Sequence, residues 1–142
     1  MNINLENNIK IAEFVSRRGK ENKHLFYHYD ELTKKAWHTS EELLYDKSWD
    51  WLMKVVDYIS DMDLSEYMYK WEYEGDIKYN FNYVDFEIST GDVWVAIDLD
   101  LDEFIKIYHN NLFKTKSDKK QAVYEAVLNY IDFYYKLTNQ NG

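Results

Sequence analysis

Between Ser48 and Met62 the apolar and polar positions of the chain separate at helical spacing. Leu52, Val55, Ile59 and Met62 form one stripe, widened by Trp49, Met53 and Val56, while Asp50, Lys54, Asp57 and Asp61 fall opposite. Ser48 takes the N-cap position, and Asp50 sits in the first turn, where the helix dipole favours a carboxylate. This stretch predicts a central helix around which a core is organised. Upstream, Asn4 is placed as the cap of a helix reaching about Ser16, with Leu5, Ile9, Ala12 and Phe14 or Val15 inward. Arg17-Arg18-Gly19-Lys20 is its stop signal.

The region from His24 to Asp46 keeps no single period. His24 to Tyr29 reads either as a short strand or as an ordered loop, Glu31 to Trp37 either as a helical turn or as connection, and the region as a whole as connection plus edge strand. After the central helix the period becomes two. Tyr67, Tyr69, Trp71 and Tyr73 alternate with polar residues over Glu66 to Glu74, and Gly75-Asp76 predicts a hairpin turn. The next run, Ile77 to Ile88, begins with Ile77, Tyr79, Phe81 and Tyr83 on one face and ends with Val84, Phe86 and Ile88 on the other. Such a phase slip predicts a β-bulge. Val93 to Leu101 alternates without a break, and its polar face turns acidic toward the end. Asp102 to Asn110 is assigned a short helix carrying Phe104, Ile105 and Tyr108, followed by a basic loop. A last helix, about Asp118 to Leu137, buries Val123, Val127, Tyr130, Ile131, Tyr134 and Leu137. The expected fold class is α+β: a three-stranded antiparallel β-meander covered on one face by three α-helices. It forms a two-layer single domain over residues 1–142, with a frayed tail from about 138.

Composition narrows the function classes. Acidic residues outnumber basic ones 26 to 17, for a net charge of −9, which disfavours nonspecific binding to nucleic acid or anionic membrane and favours a basic groove as partner. With 14 Tyr and 5 Trp the chain has rings for a core and for a partner surface. It has no cysteine, so thiolate metal sites, disulfides and a Cys nucleophile are excluded. It also lacks proline, so turns rest on its 4 glycines and on Asn, Asp and Ser. Neither a signal peptide nor a membrane span is recognisable, which points to the cytoplasm.

Asp98-x-Asp100-x-Asp102-Glu103 matches the first alternate positions of a calcium loop, but Glu103 stands where glycine is needed and His109 where the closing Glu belongs. It is read as a solvated strand end. His24 and His28 stand four apart without the Glu of a zinc helix. No nucleophile elbow or glycine-rich phosphate loop occurs, so neither a metal, a cofactor nor a catalytic residue is assigned, and the chain is read as non-enzymatic. Arg17, Arg18, Lys20 and Lys23, near Phe26, Tyr27 and Tyr29, are candidate RNA contacts. The candidate partner surface is acidic and aromatic: Trp71, Tyr73, Asp85, Glu87, Asp92, Asp98 and Asp100.

Trp49-Asp50-Trp51-Leu52-Met53 with Val55, Val56 and Ile59, Ala122-Val123-Tyr124-x-Ala126-Val127 with Ile131 and Tyr134, and Ile11-Ala12-Glu13-Phe14 resemble small proteins carried by phages and prophages of AT-rich Bacteroidota-type genomes. The resemblance covers the three helices, leaves the strands and 17–47 unmatched, and departs from the family at Lys54, where proline is common. It carries over no catalytic residue. What it implies is setting: an inhibitor of host defence in the cytoplasm of an infected bacterial cell, similar to anti-CRISPR proteins. The implied partner is a basic RNA-guided nuclease whose guide or target handling it blocks, with nucleic acid met only through that complex and the chain a monomer or weak dimer. The other classes in view are a nucleotide-binding or signal-sponging domain and a phage accessory or structural protein.

Overall fold

The computed structural model describes residues 3–15, 25–64, 68–71, 77–99, 104–111 and 115–139, with backbone alone at 3, 68–71, 77–80, 82, 116 and 139. The class is α+β, as expected, with three α-helices and antiparallel strands. Contacts divide the chain into two compact units, 1–55 and 56–142, and the boundary falls inside a helix.

The first unit opens with α1 (Ile3–Val15). Asn4 therefore lies within the first turn and is not its cap, and the expected stop signal at 17–20 lies outside the described residues. Ile11 and Ala12 are fully buried, and Asn8, a polar residue in a core position, is buried with them. Its amide donates to the Leu43 carbonyl at 3.2 Å and to Asp46 Oδ1 at 2.9 Å, the pairing that burial of an amide demands. β1 (Phe26–Asp30) and β2 (Lys35–His38) form an antiparallel hairpin, resolving the ambiguous region as two strands. Its turn is set by Asp30, whose Oδ1 accepts the Leu32 N–H at 2.9 Å, and by Lys34 in the left-handed region at φ 59°. A 3-10 turn, Ser40–Glu42, follows, closed by Glu42 accepting the Thr39 N–H at 2.8 Å.

α2 (Trp49–Ser60) is the expected central helix. Trp51, Leu52, Val55, Val56 and Ile59 are buried, Asp50, Lys54, Asp57 and Asp61 are exposed, and the Trp51 N–H donates to the Ser48 hydroxyl at 3.3 Å, which makes Ser48 the N-cap.

In the second unit β3 (Met68–Trp71), β4 (Ile77–Ile88), β5 (Val93–Leu99) and β6 (Phe104–Asn110) form one antiparallel sheet in that order. β3 pairs with residues 77–80 of β4, and β5 with residues 81–88, so β4 is shared along its length. The expected meander is present and extended by a strand. β6 corrects the short helix assigned to Asp102 to Asn110. Ile105, Ile107 and Tyr108 favour a pleated surface, a helix that short gains little by itself, and the free edge of β5 offers β6 a full ladder of hydrogen bonds. The phase slip in β4 is a bulge: Phe81 faces Leu99 and Val84 faces Ile97, so two residues of β4 oppose one of β5. β6 carries a second bulge at Ile107, since Tyr108 faces Val95 and Lys106 faces the adjacent Ala96.

α3 (Lys116–Asn139) packs on β5 and β6. Thr115 and Asp118 exchange backbone-to-side-chain hydrogen bonds of 3.1 Å at its start. Ala122, Val123, Ala126, Val127, Tyr130 and Ile131 are buried, as is Tyr124, which the sequence pattern did not single out; Tyr134 is only half-buried. Among the described residues no helix is long and apolar enough to cross a membrane.

Candidate interaction face

The bulge in β4 decides what the larger sheet shows to solvent. It leaves Val84, Phe86 and Ile88 on the side of β5 that carries Val93, Val95, Ile97 and Leu99, and turns Tyr83, Asp85 and Glu87 to the other side. β5 adds Trp94, Ala96 and Asp98 to that outer side, and β6 adds Phe104, Lys106 and His109. Register then makes rows across the strands: Glu87, Trp94 and His109; Asp85, Ala96 and Lys106; Asp98 and Phe104, with Tyr83 beside them at the bulge.

Tyr83 and Phe104 are more than half exposed, at 57% and 51%, so rings stand open beside the acids. Trp94 lies 5.5 Å from Phe104 and 5.2 Å from His109 between ring centroids, with the Lys106 ammonium 5.8 Å from its own. The Tyr83 hydroxyl donates to Asp98, and this bond, with the charge of Asp98, raises the phenol above its ordinary range. Asp85 is also raised, by burial first and then by the negative charges of Glu87 and Asp98. The like charges beside Asp85 are unfavourable to one another, and a cation placed among them relieves that repulsion. His109 Nε2 approaches Asp92 Oδ1 at 2.8 Å, so Asp92 is paired at the rim.

Of the partner-surface residues assigned from sequence, Asp85, Glu87 and Asp98 share this face and Asp92 borders it. Trp71 lies on β3 opposite Ile77; Tyr73 and Asp100 lie outside the described residues. Outside them too are Arg17, Arg18, Lys20 and Lys23, and Asp102 and Glu103 of the calcium-like run. Tyr83, Trp94 and Phe104 belong to the face and were not assigned to it. The signal for the first two was present in the phase slip and in the alternation of β5; Phe104 was hidden by its assignment to a helix.

A second cluster fills the first unit. His28 stacks on Trp51 at 3.9 Å with a 13° tilt, and its Nδ1 is hydrogen-bonded to the Tyr45 hydroxyl at 3.2 Å. His38 Nε2 donates to the His28 carbonyl at 2.7 Å, and the Trp51 indole N–H to Asp30 at 3.4 Å. Burial, then the charges of Lys54 and His38, lower His28 to about 4, and its Nε2 is buried without a partner among the described residues. The rings of the cluster enclose the uncharged imidazole of His28. Among the described residues no group of three or more His, Asp or Glu is placed to hold a metal ion.

Comparison of the chain with protein-family models, with curated proteins and with solved structures gives no match.

Proposed function

We propose that this chain is a non-catalytic binding protein that presents the outer face of its larger sheet to a basic groove of the kind that holds nucleic acid. The single observation behind this reading is the placement of Asp85, Glu87 and Asp98 on one side of the sheet with exposed Tyr83 and Phe104. Regularly spaced carboxylates offer a groove the charge of a nucleic-acid strand, and the rings supply desolvated anchors that charge alone does not. A net charge of −9 adds long-range steering toward such a partner.

Taken with the phage-like helical motifs, the partner is a host defence effector in the infected bacterial cytoplasm, an RNA-guided nuclease, whose guide or target strand is kept out. Binding of this kind is stoichiometric, without turnover.

The test is capture by tagged protein at low and high salt, run beside a variant carrying Asp85→Asn, Glu87→Gln and Asp98→Asn. Retention of an RNA-guided nuclease by the wild type alone, lost at high salt, together with stoichiometric inhibition of its cleavage, is the expected result. Equal capture by the variant, or undiminished cleavage, rejects the reading. In that event a thermal-shift screen with cyclic nucleotides addresses the signal-sponging class.

A further inference from the structure

The outer face of the larger sheet differs from one end to the other. At one end Asp98 stands between two rings, Tyr83 on β4 and Phe104 on β6, both more than half exposed. The Tyr83 hydroxyl takes one acceptor site of the Asp98 carboxylate and holds ring and charge side by side, while a carboxylate offers about four such sites. Asp85 follows on β4, where it feels the negative charges of Glu87 and Asp98. Among the described residues no ion pair engages Asp85, Glu87 or Asp98.

The other end carries cations of its own. His109 pairs with Asp92 at 2.8 Å, and the Lys106 ammonium lies 5.8 Å from the Trp94 ring centre. Lys106 shares a row with Asp85 but belongs to the strand beyond Ala96, about 10 Å away by the usual spacing of paired strands. The uncompensated charge of the face therefore gathers where acid and open ring alternate.

Such a setting distinguishes one cation from another. An ammonium is compact and strongly hydrated, and it meets carboxylates as a point charge. A guanidinium is flat and weakly hydrated, so it can lie against a ring while its N–H fork reaches a carboxylate. We infer that the Tyr83, Asp98 and Phe104 end of the sheet is a clamp for one arginine side chain of the partner, stacked on a ring and hydrogen-bonded to Asp98, with Asp85 adding charge. The inference rests on the reading of this face as the partner surface, and adds which cation it selects and at which end.

The probes are two short peptides of equal charge, Gly-Arg-Gly-Arg-Gly and its lysine counterpart, titrated at low salt and followed by the protein's amide signals in two-dimensional NMR. The arginine peptide is expected to shift Tyr83, Asp85, Asp98 and Phe104 and to bind about threefold to fivefold tighter than the lysine peptide. Tyr83→Ser with Phe104→Ser should abolish that preference and leave the lysine affinity nearly unchanged, whereas Asp98→Asn should weaken both peptides. Both rings are exposed, so circular dichroism and melting temperature should match the wild type. Equal affinity for the two peptides on the wild type overturns the clamp, as does a preference that survives loss of both rings. Shifts centred on Glu87, Trp94 and His109 overturn it too. Capture of a nuclease without any arginine preference would reject the clamp and keep the partner surface. An arginine preference at these residues with no nuclease captured would uphold the clamp and reject the nuclease as its partner.

Discussion

His28 makes the stability of the first unit depend on pH in a way that can be calculated. Its imidazole is 7% exposed, stacked on Trp51 and held neutral, with its pKa lowered from 6.5 to about 4. Between those values the unfolded chain binds a proton that the folded chain refuses, so stability rises with pH there. The contribution is fully present above the unfolded value and is lost as pH falls toward the folded one. With those two values, about 2 kcal/mol is gone by about pH 5 and about 3 kcal/mol below about pH 4. The assay is urea unfolding of the wild type and of His28→Gln near neutral pH and at about pH 5, read on the amide signals of Phe26–Asp30 so that the unit containing His28 reports itself. Carboxylates and the other histidines contribute to both proteins and cancel in the comparison. The wild type is expected to lose about 2 kcal/mol more than the variant on acidification. Equal losses, within about 0.5 kcal/mol, would refute the claim that burial of neutral His28 is what the fold maintains.

Other consequences are open to direct measurement. Asp98→Asn removes the charge that helps raise the Tyr83 phenol and leaves it a weaker, neutral acceptor, so its ultraviolet titration moves to lower pH, while no movement would separate the two groups. Because Asp85 holds its proton above the ordinary range, affinity of the outer face for a cationic partner climbs as pH rises through the carboxylate range, and the climb flattens in Asp85→Asn. Ile97→Ala empties a fully buried position between β4 and β6 and costs about 2–5 kcal/mol in urea unfolding. Thr115→Ala removes one half of the reciprocal cap of α3 and costs about 1 kcal/mol by the same measurement.

The elements legible in the sequence are those whose inward positions are apolar. α2 separates its faces cleanly, β5 alternates throughout, and the slip in β4 announces its bulge. The hairpin β1–β2 was obscured for the opposite reason: histidines occupy inward positions and tyrosines outward ones, so hydropathy runs against burial. Asn8 conceals the inner face of α1 in the same way, as its amide finds partners 35 and 38 residues away that no local pattern reveals. β6 was misread because Phe104, Ile105 and Tyr108 also satisfy helical spacing, and only the availability of an edge on β5 decides between the two. The acids of the interaction face were found by alternation, and the rings that complete it depend on a register that alternation does not supply.

β6 is the last strand of its sheet among the described residues, and it is kinked by the extra residue Ile107. A straight strand of this composition, with isoleucines and exposed Phe104, would be an adhesive margin onto which further chains could add by main-chain hydrogen bonding. Many proteins blunt such a margin with proline, which this chain lacks altogether. The bulge breaks the even spacing of N–H and C=O groups that an incoming strand would need, and Lys106 adds a charge next to it. One extra residue of backbone thus spoils this margin as a template for fibre growth.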